Sequence, residues 1–176
     1  MSTPRLFLAV ALAAVSTAAF AESPKLGRPI TEQDIAAWDI AAMPSGAGLP
    51  PGGGNAVQGA KVFAEKCAAC HGEGGKGGPI ARAPLFGGPP LTDGIDVRKT
   101  VGNFWGHATT LFDFTRRAMP FSAPRTLSAD EVYAVSAYIL YLNKIIGETE
   151  VMDAKTLPAV KMPNADNFII AYPDRI

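Results

Sequence analysis

The sequence predicts an all-α domain with irregular arms at both ends, and three observations predict it. Apolar residues recur at helical spacing in three stretches, two of which open on good capping residues, Asn55 and Ser128. Glycine and proline, 18 and 15 of the 176 residues, crowd into the segments between those stretches. No run alternates convincingly in the manner of a strand, and no internal repeat is present.

Residues 1–21 read as a secretory signal peptide rather than as fold. Arg5 gives a weakly positive start, Leu6 to Val15 is a short apolar run, and Ala19-Phe20-Ala21 fits the small-x-small cleavage pattern. Cleavage is expected after Ala21, with export to the periplasm. The apolar run is too short to anchor the chain well, so no membrane span is expected after cleavage. Lys plus Arg and Asp plus Glu number 16 each, and loss of Arg5 leaves a net charge of about −1. That balance argues against nucleic-acid binding or a basic membrane-surface patch.

Residues 22–54 form an arm with one helical possibility, around Thr31 to Ala42. The run from Pro44 to Gly54 breaks any regular element. Trp38 and Ile40 are apolar enough to dock on another surface, most simply the domain's own. The domain itself is expected over residues 55–147. Asn55 caps a first helix carrying Val57, Ala60, Val62, Phe63 and Ala64, which ends at the cysteines. His71 to Leu91 is too rich in Gly and Pro for a long helix or a central strand. Phe104, Ala108, Leu111, Phe112 and Thr115 then form the stripe of an amphipathic helix ending near Ala118. Ser128 and Glu131 make a capping box for the clearest helix, with Val132, Val135, Ile139 and Leu142 on one face. Residues 148–176 lack periodicity, hold Pro158, Pro163 and Pro173, and read as a second, irregular arm wrapping the domain.

The chemistry lies in Cys67-Ala68-Ala69-Cys70-His71, which has the pattern of covalent haem c attachment. Two thiols separated by two residues sit about one helical turn apart and can reach two vinyl groups on one porphyrin edge. The next residue then carries its imidazole beneath the ring to the iron. A structural zinc site needs four ligands, and the chain has only two Cys and two His. A thioredoxin-like pair would want a βαβ context, and a plain disulfide would leave His71 unexplained. One haem is therefore expected, bound by Cys67, Cys70 and His71. Candidates for the second axial ligand are Met43, His107, Met119, Met152 and Met162.

The order of first helix, C-x-x-C-H, Gly/Pro-rich loop, middle helix, Met-Pro and last helix resembles the class I cytochromes c. That resemblance implies the class I cytochrome c fold and makes Met119, followed by Pro120, the second ligand to the iron. A thioether there raises the reduction potential relative to a second histidine. It also implies a small-plus-aromatic contact of Gly59 and Phe63 with Tyr138, and a proline carbonyl, Pro79 or Pro84, accepting from the other ring nitrogen of His71. His107 is the rival ligand, although its place near the middle helix's start suits a surface or capping role. Arg116 and Arg117 suit either a haem propionate, a partner's carboxylate or a solvated helix C-terminus.

A narrower resemblance rests on Lys99 to Trp105, Ala108 to Pro120, Asp130 to Val135, Met152 to Pro158, and the arm around Trp38-Asp39-Ile40 and Gly48 to Gly52. These look like the haem subunit of bacterial sulfur-oxidation enzymes, the Sox-type cytochrome partners of periplasmic molybdenum-containing sulfite or sulfane dehydrogenases. Some members of that group carry two haem domains, whereas this chain has one attachment motif. The resemblance implies an electron-transfer subunit, not catalytic alone, that accepts electrons from the molybdenum subunit and passes them to a downstream cytochrome or oxidase. Competing readings are a free-standing periplasmic shuttle, or a haem enzyme or sensor with an open sixth position. If the arms serve mainly for docking, deleting residues 148–176 should abolish association and spare the haem site.

Overall fold

The computed structural model describes residues 26–91 and 96–169, so the signal segment, residues 1–21, lies outside the described residues. The chain divides into two compact units, Met1–Trp38 and Asp39–Ile176. In the first, α1 spans Glu32–Trp38, shorter than the Thr31 to Ala42 expected. Thr31 and Asp34 cap it reciprocally: the Asp34 N–H donates to Thr31 Oγ1 at 3.2 Å, and the Thr31 N–H donates to Asp34 Oδ2 at 2.9 Å. Arg28 grips both oxygens of Asp34 at 2.8 and 2.9 Å, which holds that carboxyl well below its ordinary range. Trp38 is 79% exposed.

The second unit is helical, as its periodicity predicts. Its elements are β1 (Gly53–Gly54), α2 (Ala56–Lys66), α3 (Ala68–His71), α4 (Val101–Phe104), α5 (Ala108–Ala118), α6 (Ala129–Leu142) and β2 (Met152–Asp153). Three-residue 3₁₀ turns follow α3 at Glu73–Gly75 and punctuate the tail at Leu157–Ala159 and Ala165–Asn167. The predicted capping box of Ser128 with Glu131 is present on α6, and the predicted cap Asn55 forms a box of its own with Gln58 on α2.

α2 crosses α6 at a point only glycine allows. A Cβ on Gly59 would lie 1.9 Å from the Ala134 carbonyl oxygen, and one on Gly54 would lie 2.7 Å from the Ala134 side chain. Beside that contact, the rings of Phe63 and Tyr138 meet at 5.4 Å, the small-plus-aromatic arrangement the resemblance implied. A bridge from Lys66 to Glu131 ties the same two helices at the surface. The core continues through Phe112 of α5, whose ring lies 4.4 Å from that of Tyr133 on α6. Leu140, Val132 and Val135 complete it from α6, all nearly inaccessible to solvent.

Three expectations need correction. The middle helix is not continuous: it breaks between α4 and α5, where Trp105 and His107 are extended (ψ 134° and 138°). The Phe104 carbonyl accepts instead from Asn164 Nδ2 of the tail at 2.6 Å, and Gly106 lies under the Phe168 ring, leaving no room for a Cβ. A short ladder exists where no strand was expected, pairing β1 antiparallel with β2 in the register Gly53↔Asp153 and Gly54↔Met152. Two residues each way carry no pattern that sequence could reveal.

The tail, third, is not merely an arm. Met152, Leu157 and Met162 are at most 3% exposed and belong to the core. Truncating residues 148–176 would therefore strip core side chains, each worth about 2–5 kcal/mol, and cannot isolate a docking role. The segment after Trp38 is likewise pinned to α5: the Ala42 N–H donates to Asp113 Oδ1 at 2.8 Å and Arg116 Nη1 donates to the Ile40 carbonyl at 3.2 Å. Among the described residues no helix is long and apolar enough to cross a membrane.

Candidate functional site

Cys67 is at once the C-cap of α2 and the N-cap of α3. Its carbonyl accepts from the Cys70 N–H at 3.1 Å and the His71 N–H at 3.0 Å, so one tight turn carries both thiols and the imidazole. The following loop folds back on that turn by backbone bonds. Gly77 N–H donates to the His71 carbonyl at 2.9 Å, and Ala81 N–H donates to the Cys70 carbonyl at 3.1 Å. Glycine is required here: Gly72 has φ 76°, and a Cβ on it would lie 2.1 Å from the Gly77 carbonyl. The glycine density read as loop from the sequence is thus a backbone cradle around the motif.

Both cysteines are free thiols and half-buried. Burial is the main cause pushing the Cys67 thiol up to about 11, so it stays protonated at neutral pH. Burial also lowers the pKa of His71, favouring the neutral imidazole that a metal requires. Its Nδ1 is buried without a hydrogen-bond partner, so neither Pro79 nor Pro84 supplies the carbonyl the resemblance implied. Phe63 packs near the imidazole, with ring centroids 6.4 Å apart. A cavity of about 430 Å³ opens beside the motif, with Phe63, Ala68 and Tyr138 among its walls.

Met119 stands on another element. It is the C-cap of α5, half-buried and extended (φ −120°, ψ 145°), so its side chain leaves the helix where Pro120 begins a loop. Of the other sulfur candidates, Met152 and Met162 are buried in the core, and Met43 is 47% exposed. His107 is exposed at the N-cap position of α5 and makes no side-chain capping bond. The two arginines divide: Arg116 holds the Ile40 carbonyl, and Arg117 pairs with Asp113 at 2.8 Å on the same helix.

The donor set fits an iron porphyrin rather than a bare ion. Among the described residues no three of His, Cys, Asp or Glu are grouped to hold a metal directly. What the structure offers is one neutral imidazole with an unpaired buried nitrogen, and two unbridged thiols on the same turn. Sequence reading missed part of the tail's contribution, Asn164 and the buried Leu157 and Met162. Only isolated apolar residues in an aperiodic stretch could have signalled it.

A helical domain built around a thiol-thiol-imidazole turn defines a c-type cytochrome. The Cytochrome c family model matches residues 56–143, half of the chain, and the chain belongs to that family. Covalent haem c is the cofactor that family implies. A chain of the sulfane dehydrogenase SoxCD from Paracoccus pantotrophus is 37% identical, with a TM-score of 0.75 over 87% of this chain and 75% of that one. Two thiosulfate dehydrogenases are also similar. The one from Psychrobacter arcticus is 30% identical over 97 residues, 52% of this chain and 27% of its own length. The one from Stutzerimonas stutzeri is 29% identical over 94 residues, 51% of this chain and 28% of its own length. The matched region thus spans little more than a quarter of those curated relatives.

Proposed function

We propose that this chain is a single-haem, exported c-type cytochrome that acts as the electron-accepting subunit of a periplasmic sulfite or sulfane dehydrogenase of the molybdenum type. One observation carries the reading. Likeness to the SoxCD chain extends over 87% of the sequence, whereas the family model stops at residues 56–143. The shared part therefore includes flanking segments that a generic cytochrome does not need. The signal peptide at residues 1–21 and the periplasmic location belong to this reading, as does electron delivery to a downstream cytochrome or oxidase.

In this reading Cys67 and Cys70 would tether the haem, and His71 of α3 and Met119 at the C-cap of α5 would ligate its iron. The haem supplies a one-electron carrier. The chain's own residues favour a neutral imidazole at His71 and offer a soft thioether at Met119, and with both donors engaged the metal would be closed to substrate.

The thiosulfate dehydrogenase matches favour a second reading, a haem protein that itself oxidises thiosulfate. It needs an open sixth position or a cysteine ligand, and both cysteines of this sequence lie in the attachment motif. Three measurements on periplasmically produced protein separate the readings. Intact mass should rise by one porphyrin, and carbon monoxide should bind the reduced protein poorly at neutral pH. Native purification should co-elute a dehydrogenase active on sulfite or a sulfane substrate. Ready carbon monoxide binding together with thiosulfate turnover by the isolated chain would favour the second reading.

A further inference from the structure

We infer that residues 40–50 form a strap that sets the position of Met119, with Asp113 as the positioning residue; this rests on the proposed ligation of the iron by Met119. The reason lies in where the core's hold on α5 stops. Ala108, Thr109, Leu111, Phe112 and Thr115 are buried, but none of Arg116 to Pro120 is. The hydrophobic core therefore anchors the first turns of the helix and releases its end just before the C-cap. The Met119 N–H donates to the Thr115 carbonyl at 3.0 Å, so the backbone of the methionine follows that last turn wherever it goes.

Two side chains near the end of α5 grip the strap. Asp113 Oδ1 accepts from the Ala42 N–H at 2.8 Å, and Arg116 Nη1 donates to the Ile40 carbonyl at 3.2 Å. Three residues apart, the two share one face of the helix. Asp113 is half-buried, and its Oδ2 accepts from Arg117 Nε at 2.8 Å, so both carboxylate oxygens are committed. An ionised acceptor makes the Ala42 bond one of the stronger kind. The strap is itself held beyond that grip. The Met43 N–H donates to the Ala47 carbonyl at 2.8 Å, and the Tyr133 hydroxyl of α6 donates to the Pro50 carbonyl at 2.8 Å. Gly48 between them has φ 82°, and a Cβ there would lie 1.9 Å from the Ala41 carbonyl, so the turn packs onto the stretch that α5 grips.

The strap thus ties the end of α5 to α6 over a stretch that the core does not reach. Releasing Asp113 frees the last turn to tilt or fray and carries the Met119 thioether out of place. The Cys67–His71 turn keeps its own cradle and is spared. Loss of the thioether lowers the reduction potential and opens the metal to small ligands.

The haem-loaded full chain and its variants should be compared by voltammetry and by carbon monoxide uptake after reduction. Asp113→Ala should take up carbon monoxide about tenfold faster than the parent, at a lower reduction potential and with the porphyrin retained by intact mass. Asp113→Asn keeps an oxygen for the Ala42 N–H and should stay within about twofold of the parent. Arg117→Gln breaks only the ion pair and should do the same. If Asp113→Ala does not fold, Arg116→Gln decides the matter, because it breaks the strap's other bond; it should speed uptake about threefold, and parent-like behaviour would sink the strap. Parent-like uptake and potential in Asp113→Ala would overturn the strap, as would an Asp113→Asn variant as impaired as Asp113→Ala. Met119→Ala is measured beside them. If it matches the parent, the proposed ligation itself fails; if it differs while Asp113→Ala does not, only the strap fails.

Discussion

The two segments that face the proposed iron are held in opposite ways. Around Cys67–His71 the backbone is bonded outward, to residues further along the chain: Gly77 to His71, Ala81 to Cys70, and Leu85 to Gly75, at 2.9 to 3.1 Å. The loop after Met119 is bonded inward. The Ala123 N–H donates to the Pro120 carbonyl at 2.9 Å, and the Thr126 hydroxyl donates to the Ala123 carbonyl at 2.8 Å. The first segment is over-determined by its cradle, whereas the backbone bonds of the second, among the described residues, fall within the loop, which joins the body through α5 and α6. A tether and its fixed ligand need the former. A ligand that can be exchanged or tuned needs only the latter.

The sharpest way to break the contrast is in the cradle. Gly72→Ala places a Cβ against the Gly77 carbonyl at a φ that alanine resists. It should cost about 3 kcal/mol in urea unfolding. A cost under about 1 kcal/mol would mean the cradle yields and the contrast is false. Next comes Met119→Ala, expected to alter the iron's visible spectrum and open it to carbon monoxide. Because the loop closes on itself, fold stability should fall by only about 1 kcal/mol or less. A parent-like spectrum would remove Met119 as the ligand, whereas a collapse of the fold would show that the loop is not independent.

Smaller again is Thr126→Val, which removes the hydroxyl bond to Ala123 and should cost about 1 kcal/mol, felt by protease cleavage within residues 119–128 before global unfolding. The smallest effect is at the loop's far end. Lys66, and after it the Ser128 N–H, hold the Glu131 carboxyl below its ordinary value of 4.5. A depressed folded pKa lends stability that is present above 4.5 and fades as pH falls through the folded value. The group is partly exposed and its bridge lies at the surface, so the loss should be no more than about 1 kcal/mol. Unfolding of Glu131→Gln followed from pH 7 to pH 3 should show a shallower decline than the parent, and an identical slope would discard the bridge as a contributor.

What was legible in the sequence follows from the range of the forces involved. Capping boxes at Asn55 and Ser128 act over three residues, so their side chains announce them. The packing of Gly59 under Phe63 and against Tyr138 was reachable only through a family resemblance, since nothing local to α2 names its partner. The break at Trp105–His107 was illegible because its cause lies about sixty residues away, in Asn164 and Phe168. The missing partner of His71 Nδ1 has the same character: a proline carbonyl was implied by resemblance, and only three-dimensional placement shows that none bonds to it. The division of the two neighbouring arginines was hidden as well, since Arg116 turns to the Ile40 carbonyl and Arg117 to Asp113.

The order of the chain gives the buried tail one more significance. Leu157 and Met162 follow the helices in chain order, yet they close the core from which those helices draw their stability. Until they arrive, the segment bearing the two thiols belongs to an incomplete domain. Docking of these two side chains therefore completes the body that holds the turn of Cys67 and Cys70 in place.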